Sequence, residues 1–196
     1  MKIVFATKNE GKVKEVIKML NMDKIELITM AQAGIDVDVV EDGTTFEENA
    51  MKKAVEIMKI SGMPAIADDS GLEIDYLDKQ PGVHSARFLG HDTSYDIKNK
   101  KILEMLEGVP DEKRTARFVS AVCLALPDGR TITTRGTMEG VIGHEIKGTN
   151  GFGYDPIFFI PEINKYSAEL TTDEKNAISH RGKAIAQMRE KILEII

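Results

Sequence analysis

The chain reads as an α/β protein built on a long mixed β-sheet with flanking helices. Two observations predict this. In the first half, short apolar runs such as Ile3-Val4-Phe5-Ala6 and Ile25-Glu26-Leu27-Ile28 alternate with stretches of helical periodicity. In the second half, an almost unbroken apolar run from Arg117 to Leu126 turns at Pro127-Asp128-Gly129-Arg130. It returns through the threonine-rich stretch Thr131 to Met138. Strand–helix alternation favours parallel pairing and a hairpin imposes antiparallel pairing, so the sheet should contain both.

Each element has a local reason. After the first strand, Val13, Val16, Ile17 and Leu20 fall on one helical face. Thr7-Lys8-Asn9-Glu10-Gly11-Lys12 is therefore a strand-to-helix loop. Backbone N–H groups at a helix start favour anions, and Lys8 and Lys12 add positive charge. The loop lacks the GxxxxGK[ST] spacing of a Walker A motif, and taken alone it reads better as an ordinary polar turn. Val37 to Glu41 is predicted extended. Thr44-Thr45-Phe46-Glu47 reads as a capping box with Thr44 as N-cap, opening a helix that places Phe46, Ala50, Ala54 and Ile57 on one face. Asn49 and Lys53 share a neighbouring face.

A second capping box is expected at Thr93-Ser94-Tyr95-Asp96, before a helix carrying Ile97, Ile102, Leu103 and Leu106. Gly148 to Pro156 is glycine-rich and displays Phe152 between Gly151 and Gly153, either as a stacking platform or as an aromatic plug in a tight turn. Ile157 to Ile160 follows as a buried strand. Thr171 and Glu174 are in capping-box register. The last helix carries Ile185, Met188, Ile192 and Ile195 on a core stripe, with Ser179-His180-Arg181 as a polar knot before it.

Composition bounds the function. With 196 residues, 42% of them hydrophobic, the chain can bury one substantial core, read as a single domain over residues 1–196. A net charge of −6 opposes nonspecific nucleic-acid binding by bulk electrostatics but allows a local basic pocket. Cys123 is the one cysteine and lies inside an apolar run, so no intramolecular disulfide forms. The apolar run after Met1-Lys2 is too short for a signal-peptide core, and no run is long enough to cross a membrane. A cytoplasmic protein is the expectation.

Chemistry concentrates at Ile66-Ala67-Asp68-Asp69-Ser70-Gly71. Two adjacent carboxylates at what reads as the end of a buried strand repel each other, and their desolvation is unfavourable without nearby positive charge. A divalent cation answers that need, because Mg²⁺ is typically held by one or two carboxylates plus substrate phosphates.

Six stretches together resemble the inosine triphosphate pyrophosphatase family, also called dITP/XTP pyrophosphatases. They are Thr7 to Lys12 (TKNEGK), Thr45 to Ala50 (TFEENA), Ala67 to Leu72 (ADDSGL), Pro81 to Arg87 (PGVHSAR), Gly151 to Pro156 (GFGYDP) and Ser179 to Gly182 (SHRG). Each is weak alone; in this order over nearly the whole chain they are highly specific. The resemblance implies a long, bent mixed sheet in two lobes around a central nucleotide-binding cleft, and a homodimer. It implies hydrolysis of ITP, dITP and XTP to the monophosphate and pyrophosphate, with Mg²⁺ as cofactor and Mn²⁺ as a substitute.

Carried over residue by residue, the resemblance makes Asp69 the general base. Glu41, Asp68 and Asp69 would be metal ligands. Thr7, Lys8, Asn9, Glu10, Gly11, Lys12, Lys53 and Ser70 would lie along the phosphates, and Phe152, Gly153, Tyr154, Asp155, Lys175, His180 and Arg181 around the base. The chemistry is consistent. Hypoxanthine and xanthine present a 6-oxo acceptor where adenine has an amino donor, so Lys175, His180 or Arg181 could reward the first and leave the second poorly paired. The adjacent Asp68 would raise the pKa of Asp69, with a bound metal opposing. Three other readings stand beside this one: a pyrophosphatase of the septum-formation-inhibitor type acting on other nucleotides, a non-catalytic nucleotide-binding module, and a nucleic-acid-binding protein.

Overall fold

A computed structural model describes residues 1–20 and 22–195, the side chains of Glu10 and Lys14 excepted. In chain order the elements are β1 (Lys2–Phe5), α1 (Glu10–Met19), β2 (Glu26–Thr29), α2 (Phe46–Ser61), β3 (Ala65–Ile74), α3 (Tyr95–Met105), β4 (Thr115–Ala125), β5 (Thr131–Ile142), β6 (Phe158–Ile160), β7 (Lys165–Tyr166), α4 (Thr172–Ile178) and α5 (His180–Leu193). Among the described residues the strands form one sheet in the order β2-β1-β3-β4-β5-β6-β7. β1 runs parallel to β2 and β3, while β6 runs antiparallel to β5 and β7. The sheet is mixed, as the alternation in the first half and the hairpin in the second predict.

The chain divides into two compact units, and β3, β4 and β5 each contribute residues to both. The first unit comprises Met1–Asp69, Ser120–Gly136 and His180–Ile196. Its core joins Ile3 and Phe5 of β1, Val16 of α1, Ile66 of β3, and Val122 and Leu124 of β4 to Ile185, Met188 and Ile192 of α5. The C-terminal stripe is thus core, as its spacing indicates. Cys123 is a buried free thiol. The second unit comprises Ser70–Val119 and Thr137–Ser179. Its core gathers Leu72, Ile74, Ile102, Phe118, Tyr154 and Phe158.

One close approach inside the first unit fixes the start of α5. A Cβ added at Gly136 of β5 would lie 2.2 Å from the His180 carbonyl oxygen and 2.7 Å from the Ala184 nitrogen. Beside it, the Thr134 hydroxyl donates to the Ala184 carbonyl at 2.8 Å. Gly136→Ala should therefore lower stability by about 1–3 kcal/mol, the usual size of an overpacking defect. Thermal unfolding checks this, and an unchanged midpoint would show that α5 yields freely.

Three local expectations are corrected. Thr45, not Thr44, is the N-cap of α2: its hydroxyl accepts from the Glu48 N–H, and the Glu48 carboxylate accepts from the Thr44 and Thr45 backbones. Ser94, not Thr93, caps α3, accepting from the Ile97 N–H, while Ile97 itself is exposed. The carboxylate pair, expected at the end of a buried strand, sits inside one continuous strand, β3, which runs on to Ile74. Val37 to Glu41 joins no strand. The Thr171–Glu174 capping box of α4 forms in the expected register.

Candidate active site

In the first unit the site lies beyond the carboxyl end of β1, alongside the middle of β3. β1 pairs with β3 through Val4↔Ala65 and Phe5↔Ile66 and ends at Phe5. The Ile66 carbonyl still accepts from the Ala6 N–H at 2.8 Å. Two residues on, strand alternation turns the Asp68 carbonyl to the same side, beyond the end of β1. Lys53 of α2 supplies the missing donor, its Nζ reaching the Asp68 carbonyl at 2.7 Å. The same ammonium meets Glu41 Oε1 at 2.6 Å, so the fold does return Glu41 to the aspartate pair.

Successive side chains of a strand point to opposite faces, which keeps the two aspartates apart. Asp68, 1% exposed, turns to Lys12 Nζ at 2.9 Å and Arg181 Nε at 3.5 Å, both on its Oδ2. Arg181 is held in turn by Glu15 of α1 at 2.5 Å. Burial pushes the Asp68 carboxyl up, but Lys12, Arg181 and Lys53 outweigh it and hold the group well below the usual carboxylate range.

Asp69, on the other face, accepts from Asn49 Nδ2 at 3.0 Å. Its pKa is raised. Burial is the main cause, Lys53 and Lys12 pull the other way, and Glu41 adds to the rise. One strand therefore carries a carboxyl held below the usual carboxylate range and, next to it, one raised above it.

The loop before α1 is ordered by its own side chains. The Thr7 hydroxyl accepts from the Asn9 N–H, and Asn9, the N-cap, accepts from the Lys12 N–H, both at 3.2 Å. Gly11 leaves room for this cap, since a Cβ there would lie 3.2 Å from Asn9 Oδ1. Lys12 and Lys53 both face the carboxylates. Burial lowers the Lys12 pKa against the pull of Asp68; in Lys53 the three carboxylates outweigh burial and raise it. Lys8 instead bridges Asp36 and Asp38 at 2.9 Å each, on the surface. The Glu10 side chain lies outside the described residues.

A divalent cation can be tested against these residues. Asp68 Oδ1 is buried and has no hydrogen-bond partner among the described residues. An ionised oxygen in that position is a suitable ligand for a hard cation. No three His, Cys, Asp or Glu side chains among the described residues are gathered so as to hold an ion by themselves. Mg²⁺ commonly takes one or two carboxylates and completes its shell with water and substrate phosphates, and this donor set fits that mode.

In the second unit, a separate cluster surrounds the glycine-rich loop. Asp155, 1% exposed, accepts from Lys175 Nζ at 2.6 Å, the Ser167 hydroxyl at 2.7 Å and the Phe152 N–H at 2.9 Å. Lys175 Nζ also lies 4.8 Å from the centre of the Phe152 ring, which is 42% exposed. Gly151, at φ +73°, must be glycine: a Cβ there would lie 2.2 Å from Asp155 Oδ2. Asn99 of α3 donates to the Gly153 carbonyl at 3.1 Å, and Tyr154 donates to the Ser85 carbonyl at 2.7 Å. Tyr95 meets the Tyr154 ring edge-on at 5.2 Å. Ser70, half-buried on β3, belongs to this unit as well.

Phe152, Gly153, Tyr154, Asp155 and Lys175 thus form one cluster. His180 and Arg181 fall in the first unit, where Arg181 holds Asp68. Asn49, Glu15 and Asn99 are residues that sequence reasoning did not assign to the site. The spacing of Asn49 and Lys53 on α2 was the one available signal among them.

Comparison with known proteins places the chain. Residues 3–191 match the Ham1 family. A dITP/XTP pyrophosphatase of Exiguobacterium sibiricum is 51% identical over 188 residues, spanning 96% of this chain and 95% of that protein. One from Desulforamulus reducens is 47% identical over 190 residues, spanning 97% and 94%. The solved structure of a HAM1 protein from Coxiella burnetii superposes with a TM-score of 0.92 at 40% identity, over 99% of both chains. That of the Staphylococcus aureus Ham1 protein gives 0.92 at 36% identity over the full length of both. This chain belongs to the Ham1 family.

Proposed function

We propose that the protein hydrolyses ITP, dITP and XTP to the corresponding monophosphate and pyrophosphate, removing deaminated purines from the nucleotide pool. The names of its relatives support the substrate class. The observation that carries the chemistry is the placement of Asp69, held by Asn49 Nδ2 at 3.0 Å, next to Asp68 with Lys12 and next to Lys53 with Glu41; burial also raises the Asp69 pKa. A carboxylate so placed can take the proton of a water attacking the α-phosphorus. The bond from that phosphorus to the bridging oxygen then breaks, and pyrophosphate leaves with its charge held by cations.

Lys12, Lys53 and the N-terminus of α1 would bind those phosphates, with Thr7, Asn9 and Gly11 shaping the loop. Glu41, Asp68 and Asp69 would hold Mg²⁺, which supplies charge neutralisation at the phosphoryl oxygens. Ser70 would lie near the reacting phosphate. Phe152 would stack on the base, with Gly153, Tyr154, Asp155 and Lys175 around it and His180 and Arg181 adding donors for a 6-oxo group. A homodimer and a cytoplasmic location belong to the same reading. Among the described residues, no helix is long and apolar enough to cross a membrane.

The test is a product assay with Mg²⁺ on ITP, XTP, dITP, ATP, GTP, CTP and UTP that separates pyrophosphate from orthophosphate. Pyrophosphate is expected chiefly from ITP, dITP and XTP. Release mainly from CTP or UTP would move the protein to the septum-formation-inhibitor type. Binding with no product across several metals would make it a non-catalytic module.

A further inference from the structure

Asn49 is 0% exposed, on the face of α2 that also carries the apolar core residues Phe46, Ala50 and Ala54. A buried primary amide is costly unless both of its ends are satisfied, and here both are. Its Oδ1 accepts from the Gly43 N–H at 2.8 Å, and its Nδ2 donates to Asp69 Oδ2 at 3.0 Å. The two contacts agree on the orientation of the amide. An N–H requires the oxygen end and a carboxylate requires the nitrogen end, so the side chain cannot flip without losing both bonds.

The anchor itself is constrained. A Cβ at Gly43 would lie 2.7 Å from Asn49 Oδ1 and 2.8 Å from Glu48 Cβ. Glycine is what lets the backbone come close enough to lock the amide. The loop that bears Glu41 and the strand that bears Asp69 are thus joined through one side chain.

We propose that Asn49 is a positioning residue for Asp69: anchored by the Gly43 N–H, it fixes the direction of the carboxylate that receives the proton of the attacking water. The inference rests on the general-base reading of Asp69 given above. Asn49 touches neither water nor phosphate in this role; it acts through Asp69. Near-attack geometry is sensitive to small displacements, and a misplacement of about 1 Å can lower a rate by about 10²-fold.

The experiment measures kcat and KM for ITP with Mg²⁺ in Asn49→Ala, Asn49→Asp and Gly43→Ala, with thermal midpoints and with ITP affinity by calorimetry in the absence of metal. The expected result is a fall in kcat approaching about 10²-fold for both Asn49 variants, with KM and ITP affinity near wild type. Asn49→Asp keeps the shape and the Gly43 acceptor but replaces the donor, so it isolates the bond to Asp69 even if Asn49→Ala is poorly folded. Gly43→Ala should show the same split in milder form.

In an Asp69→Asn background, Asn49→Ala should lower the remaining turnover no further. Wild-type kcat in the folded Asn49 variants, or losses that multiply in that background, would overturn the inference while leaving the general base in place. Wild-type turnover in Asp69→Asn alone would remove the general-base reading, and the inference with it.

Discussion

Asp69→Asn should lower kcat for ITP by about 10²- to 10⁴-fold, the usual contribution of a positioned general base. The fold should survive, because the substitution keeps the size of the side chain and leaves an oxygen that can still accept from Asn49 Nδ2, 3.0 Å away in the native protein. Nucleotide binding should survive too. Asp69 lies at the foot of a cluster holding Lys12 and Lys53, and removing one negative charge makes that cluster more receptive to a triphosphate. The assay is steady-state turnover together with thermal unfolding and ITP affinity. Turnover within a few-fold of wild type would remove Asp69 from the role of base.

Asp155→Ala should give the largest loss of stability. The carboxylate is buried, accepts three hydrogen bonds and balances Lys175, which is only 7% exposed. Removing one partner of a buried ion pair strands the other, at a cost of about 3–5 kcal/mol. That is a large fraction of the roughly 5–15 kcal/mol that holds an ordinary protein folded. The same substitution releases the Phe152 N–H and the Ser167 hydroxyl, so the glycine-rich loop loses its tie. Denaturant midpoints measure the effect, and a shift within error would show that Lys175 reaches water easily.

Much of the fold was legible because burial leaves periodic marks. The α5 stripe, the apolar β4 run and the Thr171–Glu174 box are all where spacing places them. The α2 cap was misplaced by one residue for a physical reason. Thr44-Thr45 followed by Glu47-Glu48 satisfies the capping pattern in two registers, and local sequence cannot choose between them. What decides is Glu48, which reaches back to both threonine backbones.

Asp68-Asp69 read as the end of a buried strand because adjacent carboxylates rarely lie in the middle of one, whereas β3 continues to Ile74. The strand persists there because Lys12, Arg181 and Asn49 each reach one oxygen of its carboxylates and Lys53 reaches one of its carbonyls. Those partners come from distant parts of the chain. The Asn49–Asp69 contact spans 20 residues and the Arg181–Asp68 contact 113, so neither carries a local signature. The resemblance places Lys175 and Arg181 together around the base. The break at Ser179 between α4 and α5 assigns them to different units.

The pairing of Lys12 with Asp68 and of Lys53 with Glu41 has a thermodynamic consequence. In the resting protein, the cations suited to phosphate already neutralise the carboxylates suited to metal. On the proposed reading, a triphosphate that draws the lysines to itself uncovers those carboxylates, and the negative charge so released favours a divalent cation. Nucleotide and metal then strengthen each other's binding by the same factor, since such coupling is reciprocal. Either one alone would have to compete with the Lys12–Asp68 and Lys53–Glu41 pairs, and the two together would not.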